Sequence, residues 1–422
     1  MRRHAFFPLL SALALFGCSS DPATGDTGGA GGSGGAPPTD LLAPPPADQG
    51  VQYRMISTIA SGQEIERCQL FVAPKEGFFV RKDEVRFTAG SHHVLLYRTP
   101  YTALPTENLQ GVKMDGTKIH DCADGATAEW KINGVIAGSQ SGDGDSMLGE
   151  LPDGVAVKVE PGTVLVMNTH YVNASSDAID ADARINLYTT PAEKVKTEAG
   201  MLFYYNPFIH VPENGAASAR MRCPVQQDIS LVRVQSHMHR RGVGFAAYLG
   251  ESDGANPQEI YTSAQWERVP AKAFAPELQI KAGQTLDYRC DYKNSEARTI
   301  NQGLSSKDEM CMFIGPYYPR NVALENCADD KGVYNATWIG SGTATCGDTL
   351  GCLAGAKGQG DTYGCVVDSC PGASVELSAF IRCQMNGGDG ACATSCPGAD
   401  CQSCVTTACG TSLNACLAAK CQ

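Results

Sequence analysis

The sequence predicts an all-β fold, in which two consecutive antiparallel β-sandwich domains precede a small, disulfide-rich and partly helical C-terminal module. Charged residues make up only 18% of the 422 residues, whereas 46 glycines, 23 prolines and 19 cysteines are present. This balance is typical of exported proteins with many turns and disulfides. Short segments rich in Val, Leu, Tyr and Phe recur between residues 51 and 335 and are separated by turn residues about every ten positions, as expected for strands.

The charge and the motif content exclude several functional classes. A formal net charge of −12 leaves no basic surface for phosphate groups, so we expect no nucleic-acid partner and no electrostatic binding to anionic lipid. The glycine-rich stretch follows no strand and opens no helix, so a dinucleotide cofactor is not expected. No GxSxG motif supports a triad hydrolase.

The first eighteen residues have the pattern of an export signal. Arg2 and Arg3 precede an apolar run that is too short to span a bilayer, and the run ends at Cys18. The segment 1–18 resembles a bacterial lipoprotein signal, in which Cys18 would be lipidated; an ordinary signal peptide is the alternative. We therefore expect an exported, outer-membrane-anchored protein of the cell envelope that contacts the membrane only through this lipid.

A flexible tether and three domains are expected after the signal. Residues 19–50 are mostly Gly, Ser, Pro, Thr and Asp, which cannot bury enough surface to fold. The following 285 residues are too many for one sandwich, and the polar passage at 189–200 is the natural seam. The predicted domains are residues 51–195, 196–338 and 339–422.

The cysteines are unevenly distributed. Six lie between residues 51 and 335, and twelve lie in the last 77 residues. Even sets in an oxidising compartment indicate internal bridges. The tail has a single CxxC, Cys401 to Cys404, and no histidine, so disulfides are favoured over a metal site. We expect a separately folded appendage with short helices that supplies no metal ligand and could bind a surface partner.

Five of the eight histidines fall in three compact motifs, and imidazole is the commonest protein ligand of borderline metal ions. Strand alternation places His237 and His239 of QSHMHRRG on one face, where both could reach one metal. His92 and His93 of GSHHVLLY could do so only at a twist or bulge. His170 of MNTHYVN completes the set. A solvated face for the HxH pair and structural roles for the others are the alternatives; His120 and His210 are interpreted as structural.

The order HH, THY, HxH and KDEMC (residues 307–311) resembles the copper type II, ascorbate-dependent monooxygenases over about residues 51–335. This family includes peptidylglycine α-hydroxylating monooxygenase and dopamine β-monooxygenase. The resemblance implies two jelly-roll-like sandwiches with one copper each, hence two coppers per chain. It implies that the electron-transfer copper is held by His92, His93 and His170. It implies that the oxygen-activating copper is held by His237, His239 and the thioether of Met310, for which Met312 is the competitor.

The resemblance also implies three disulfides, Cys68–Cys122, Cys223–Cys327 and Cys290–Cys311, although six cysteines allow fifteen connectivities. The carboxylate clamp of the peptide-hydroxylating branch is not reproduced, because its positions hold Gln235, Met312 and Ile314. Arg233 lies on the same predicted strand face as Gln235. We therefore name no substrate-binding residue.

The implied reaction inserts one oxygen atom of O2 into an aliphatic C–H bond of a small or peptidic substrate. Two electrons come from an external reductant such as ascorbate, and no catalytic residue is assigned beyond the copper ligands. The alternative is a non-catalytic copper-binding or adhesive cell-surface lipoprotein with the same sandwich fold. Oxygen consumption coupled to a hydroxylated product would distinguish the two.

Overall fold

A computed structural model describes residues 41–122, 125–329, 332–392, 394–395, 398 and 400–421. The expected signal, Cys18 and residues 19–40 lie outside the described residues. Residues 41–49, expected as part of the tether, lie against the first sandwich, since the backbone carbonyls of Leu42 and Ala43 accept hydrogen bonds from side chains of its strands. No helix in the described part of the chain is both long and apolar enough to traverse a bilayer.

Ten strands and one short helix form the first sandwich. They are β1 (Gly50–Ile59), β2 (Glu64–Val72), β3 (Phe78–Phe87), β4 (Ser91–Arg98), β5 (Ile119–Asp121), α1 (Ala126–Glu129), β6 (Val135–Ser139), β7 (Val155–Val159), β8 (Val164–Val172), β9 (Ile179–Thr190) and β10 (Thr197–Glu198). One sheet has the order β1-β9-β3-β7-β10 and the other β5-β2-β8-β4-β6. Every pairing is antiparallel except that of β10 with β7.

The second sandwich begins directly afterwards. Its elements are β11 (Gly200–Tyr205), β12 (His210–Val211), β13 (Ala216–Pro224), β14 (Ile229–His237), β15 (Gly242–Gly250), β16 (Gln258–Ser263), β17 (Lys272–Ile280), β18 (Thr285–Lys293), β19 (Ile300–Asn301), β20 (Met312–Tyr318), α2 (Val322–Glu325) and β21 (Thr337–Ile339). The two main sheets have the orders β11-β20-β14-β17 and β16-β15-β18-β13-β21. β12 and β19 form a separate pair.

The sheet β11-β20-β14-β17 lies between two hydrophobic cores. Along β20, Met312 and Ile314 pack into the core of the first sandwich, whereas Phe313 and Tyr317 pack into the core of the second. Because strand side chains alternate between faces, a sheet covered on both faces needs apolar residues at nearly every position. This accounts for the continuous apolar run in β20 and joins the two sandwiches by one buried interface.

The C-terminal tail consists of short helices, namely α3 (Cys346–Gly355), α4 (Gln359–Val367), α5 (Ser374–Met385), α6 (Cys401–Ala408) and α7 (Gly410–Ala418). Tyr363 and Val366 of α4 belong to the core of the second sandwich. In addition, Trp338 of β21 exchanges backbone hydrogen bonds with the Ser378 hydroxyl of α5. The tail is thus packed onto the second sandwich, which differs from the separately folded appendage expected from its cysteines.

Eight disulfides join described cysteines. They are Cys68–Cys122 in the first sandwich, Cys223–Cys327 and Cys290–Cys311 in the second, and Cys346–Cys416, Cys352–Cys365, Cys370–Cys421, Cys383–Cys409 and Cys392–Cys404 in the tail. The predicted all-β class with a disulfide-rich, partly helical tail is confirmed.

Candidate metal centre

Five histidines from both sandwiches converge at the buried interface. His92 is at the middle of the cluster: its ring centroid is 5.4 Å from those of His93 and His170, 5.1 Å from His237 and 5.0 Å from His239. These are the five histidines of the HH, THY and HxH motifs. The structure therefore brings three motifs, spread over almost 150 residues, into one group.

A β-bulge allows the two adjacent histidines to turn toward this group. On β4, Ser91 is paired with Tyr171 and His93 with His170 of β8, so the register shifts between Ser91 and His93. Two residues of β4 thus oppose one of β8, and His92 is the extra residue. In a regular strand His92 and His93 would point to opposite faces, so the bulge is what permits both rings to approach His170.

The HxH pair lies where β14 ends. His237 is the last residue of the strand and His239 follows it in a loop, with the two ring centroids 5.3 Å apart. Met238 is fully buried in the core of the second sandwich. The alternation expected from a strand therefore persists beyond its last paired residue.

Hydrogen bonds fix the orientation of three of the rings. His170 Nε2 lies 3.1 Å from Glu64 Oε1, His237 Nδ1 lies 2.6 Å from Gln140 Oε1, and His239 Nδ1 lies 3.0 Å from the carbonyl oxygen of Asp308. In each case the ring nitrogen donates to an oxygen, which leaves the other nitrogen as the acceptor. Partners of this kind set the tautomer of metal-binding histidines.

Four ring nitrogens of the cluster are buried without a hydrogen-bond partner among the described residues. These atoms are His92 Nε2, His93 Nδ1, His170 Nδ1 and His239 Nε2. A buried polar atom without a partner is costly, and native structures rarely contain several together. A cation bound between the rings would satisfy these lone pairs, so the residues fit a metal ion.

Burial keeps four rings of the cluster neutral. Burial, reinforced by the neighbouring histidines, holds the pKa values of His92, His93 and His237 well below their usual range. Burial lowers the pKa of His239 to about 4. Neutral imidazole is the form that binds a metal, so protons do not compete for these sites near pH 7.

Two sets of three nitrogens are spaced to hold a metal ion. His92, His93 and His170 form one set, and His92, His237 and His239 form the other; within each set the donor atoms lie within 4.8 Å of one another. His92 belongs to both. The sequence motifs predict the first set, but they assign His92 no place beside the HxH pair.

Hydrogen bonds join the KDEMC segment to the loop that contains His239. The acceptor is Glu309, a residue of the motif for which the sequence predicts no role. Glu309 is fully buried, and its carboxylate accepts hydrogen bonds from the backbone nitrogens of His239 (2.9 Å) and Arg241 (2.8 Å). Burial raises the pKa of Glu309 to about 7. Met310 follows directly, and its carbonyl accepts a hydrogen bond from the Tyr292 hydroxyl. Met310 is therefore the neighbour in sequence of a residue that is hydrogen-bonded to the backbone of His239.

Met312, the competitor of Met310, lies opposite His237 in the pairing of β20 with β14. Its side chain packs into the core of the first sandwich together with that of Ile314. Gln235, paired with Ile314, is buried and donates to the Val269 carbonyl. Gln235, Met312 and Ile314 stand where the peptide-hydroxylating branch has its carboxylate clamp. In this structure they lie in the strands at the interface of the two sandwiches.

The remaining histidines of the described chain lie apart from the cluster. His120 Nε2 bonds with the carbonyl oxygen of Asp115, and His210 Nδ1 bonds with the side-chain oxygen of Asn301. Trp266, in the loop between β16 and β17, lies with its ring 6.2 Å from that of His92. No sequence signal identifies Trp266, Glu64 or Gln140, because each acquires its role from a partner distant in sequence.

Comparison with known families supplies the identity of the second sandwich. Residues 199–338 match the family described as "Copper type II ascorbate-dependent monooxygenase, C-terminal domain". The second sandwich belongs to the copper type II ascorbate-dependent monooxygenase family. The HxH pair and the KDEMC segment both lie within the matched residues, so the copper monooxygenase domain carries part of the histidine cluster.

Other comparisons add little to this copper monooxygenase assignment. No curated protein matches the sequence. Among solved structures, the major capsid protein P2 from bacteriophage PM2 is similar with a TM-score of 0.27 and 8% identity, over 64% of this chain and 99% of the capsid chain. A similarity this weak indicates neither a shared function nor a shared detailed fold.

Proposed function

We propose that this protein is a copper-dependent monooxygenase that hydroxylates an aliphatic C–H bond of a small or peptidic substrate. The overall reaction consumes the substrate, O2, two electrons and two protons, and yields the alcohol and water. The electrons come from a one-electron donor such as ascorbate. The observation that carries the proposal is the convergence of five histidines, two of them in the copper monooxygenase domain, of which four have a buried ring nitrogen without a hydrogen-bond partner among the described residues.

Each copper has an assigned set of protein ligands. His92, His93 and His170 would hold the electron-transfer copper, and His237, His239 and Met310 the oxygen-activating copper. Bound copper supplies electron transfer and oxygen activation, which no side chain provides. A site with two imidazoles and one thioether is soft enough to favour Cu(I) over zinc.

The protein residues around the ligands orient and shield the site. Glu64, Gln140 and the carbonyl of Asp308 hold three rings with one nitrogen turned inward. The apolar interface formed by Met312 and Ile314 excludes water from one side of the cluster, and Trp266 packs near His92. A dry, preorganised site strengthens the interactions of the ligands and limits wasteful side reactions.

The cell envelope is the proposed location. The disulfides indicate export to an oxidising compartment, and attachment to the outer membrane through lipidated Cys18 is part of the proposal. Substrate and O2 are the expected small-molecule partners. The tail is proposed to offer a surface to another protein.

Oxygen uptake by the full chain, supplied with copper and ascorbate, tests the activity. We expect uptake in excess of the metal-catalysed background together with a hydroxylated product, identified by mass spectrometry with ¹⁸O2. The control is the His239→Ala variant under the same conditions. Copper binding without product from any aliphatic or peptidic substrate tested would favour the alternative, a non-catalytic copper-binding or adhesive surface lipoprotein.

A further inference from the structure

Helix α4 of the tail lies directly against the strand pair formed by β12 and β19. Two glycines of the helix, Gly360 and Gly364, are four residues apart and therefore share one face. A Cβ atom added to Gly360 would lie 2.6 Å from the side-chain nitrogen of Asn301, and one added to Gly364 would lie 3.2 Å from the ring of His210. The lack of side chains at these two positions allows the helix to approach the strand pair this closely.

The contact between α4 and the strand pair extends to Gln302. Tyr363, which precedes Gly364 in the helix, packs into the core of the second sandwich, and its hydroxyl donates to the side-chain oxygen of Gln302 at 3.1 Å. The neighbouring Asn301 is hydrogen-bonded to His210. The disulfide Cys352–Cys365 joins α4 to α3. A cross-linked helix of the tail thus contacts two consecutive residues of the second sandwich.

These two residues are hydrogen-bonded to the KDEMC segment. The backbone nitrogen of Glu309 donates to the carbonyl of Asn301 at 3.0 Å, and the backbone nitrogen of Gly303 donates to the carbonyl of Glu309 at 3.1 Å. Gln302 and Glu309 therefore lie opposite each other in a short parallel bridge. A displacement of Gln302 would consequently move the backbone of Glu309.

Glu309 and its neighbours in turn hold the second ligand set. The Glu309 carboxylate accepts from the backbone nitrogen of His239 at 2.9 Å, and the carbonyl of Asp308 accepts from the ring nitrogen of the same histidine at 3.0 Å. Met310, the proposed thioether ligand, is the next residue. The position of this segment therefore determines where the His239 ring and the Met310 side chain lie.

Building on the proposed copper chemistry, we propose that α4 positions the ligands of the oxygen-activating copper. Tyr363 is the positioning residue, and it acts through Gln302 and Glu309 on His239. The helix itself supplies no ligand, and its residues lie outside the range 199–338 that matches the copper monooxygenase family. The Cys-rich tail is thus a support of the second ligand set that the family domain does not contain.

The first ligand set is less dependent on this path. Glu64, which orients His170, also accepts from the backbone nitrogen of Ser306 in the same segment. The backbones of His170 and His93, however, are fixed by the pairing of β8 with β4. We therefore expect a change at Tyr363 to act mainly on the second set.

Tyr363→Phe tests this path, because it removes the hydroxyl that donates to Gln302 and keeps the ring in the core. Hydrogen–deuterium exchange is measured on the metal-free full chain. The backbone N–H groups of His239 and Arg241, which donate to Glu309, should exchange about three- to tenfold faster, as expected for the loss of one hydrogen bond. Exchange in the strands of the first sandwich should stay unchanged.

Tyr334→Phe is the matched control. The hydroxyl of Tyr334 contacts the sulfur of Met221 in the same sandwich, so its removal should leave exchange at His239 unchanged. Gln302→Ala removes the acceptor of the Tyr363 hydroxyl and should reproduce the effect of Tyr363→Phe. The double variant should be no worse than either single variant, because both changes remove the same hydrogen bond.

Copper titration of the same variants supplies a second measurement. We expect two binding steps, of which one is weakened about three- to tenfold in Tyr363→Phe and neither in Tyr334→Phe. Wild-type exchange at His239 in Tyr363→Phe, or additive effects of Tyr363→Phe and Gln302→Ala, would overturn the positioning role and leave the proposed function standing. Equal acceleration in both sandwiches would indicate a loss of global stability and would also overturn this role. Faster exchange at His239 in a chain that binds no copper would support the positioning role and overturn the proposed function.

Discussion

The two sandwiches hold their histidines by different means. In the first, His93 and His170 lie opposite each other on adjacent strands inside a five-stranded sheet. In the second, His239 lies beyond the end of β14 and is held by Asp308 and Glu309, about seventy residues away in sequence. The first set therefore depends on strand register, and the second on contacts between distant loops.

The second sandwich also depends on the rest of the chain for its core. Tyr363 and Val366 of the tail pack into it, and Gln140 of the first sandwich orients its His237. The first sandwich receives no comparable contribution from the tail among the described residues. This contrast indicates that substitutions in the tail should disturb the second set more than the first.

The largest expected effect contrasts one histidine from each set. His239→Ala should lower turnover at least about 10³-fold, because metal catalysis is worth several kcal/mol and each 1.4 kcal/mol is a factor of ten. His93→Ala should instead slow electron supply, because a prereduced oxygen-activating copper holds only one of the two electrons that each hydroxylation consumes. Rapid-quench and steady-state product assays measure both. Full steady-state turnover in His93→Ala would contradict separate roles for the two sets.

Met310→His tests which thioether serves the second set. Imidazole binds Cu(II) more firmly than a thioether does, so we expect the variant to keep its copper and lose most of its turnover. Met312→Leu is the matched control, since a volume-conserving change at the interface should cost less than about 1.5 kcal/mol and leave turnover nearly unchanged. An essential Met312 with a dispensable Met310 would contradict the assignment.

Particular residues show which features of the site can be predicted from the sequence. The shared face of the HxH pair follows from strand alternation, and the adjacent histidines already require the bulge found between Ser91 and His93. Glu64 and Gln140 could not be predicted, because their partners are 106 and 97 residues away and only the interface brings them together. The packing of Tyr363 against the second sandwich could not be predicted either. The number of cysteines indicates cross-links within the tail, but it gives no information about contacts between the tail and other domains.

Glu309→Gln should disturb the second set more than a matched change disturbs the first. Glutamine keeps only one of the two oxygens that accept from the backbone N–H groups of His239 and Arg241. One buried N–H group therefore loses its acceptor, which should lower the free energy of unfolding by about 1–3 kcal/mol. Asp83→Asn is the comparison, because this buried carboxylate accepts from Gly138 and Gly149 in the first sandwich. Urea unfolding measures stability, and copper titration should reveal weaker binding only in Glu309→Gln; equal copper affinities would contradict the distinction.

Tyr363→Ala tests whether the tail stabilises the second sandwich. Tyr363 is 4% exposed, and its hydroxyl donates to the side-chain oxygen of Gln302. Removing its ring should destabilise the protein by about 3 kcal/mol, as for other buried aromatic side chains. Leu417→Ala in α7, where the side chain is 54% exposed, should change stability by less than about 0.5 kcal/mol. Similar unfolding midpoints for both variants would show that the tail contact is dispensable.

The smallest effect is a pH dependence that arises in the second set. Because burial lowers the pKa of His239 to about 4 from its usual 6.5, the unfolded chain takes up a proton in this range before the folded protein does. Acidification therefore destabilises the metal-free protein, with His239 contributing up to about 1.4 kcal/mol per pH unit between these two values. Above the usual value the contribution is constant.

Urea unfolding of the metal-free protein at about pH 7, 6 and 5 measures this slope. Burial raises the pKa of Asp83 to about 6, and this carboxyl group has the opposite effect, since the folded protein then binds the extra proton. The difference between wild type and His239→Gln removes that contribution and isolates His239. We expect the variant to lose less stability on acidification, whereas identical slopes would mean that the pKa of His239 is the same in the folded and the unfolded metal-free protein.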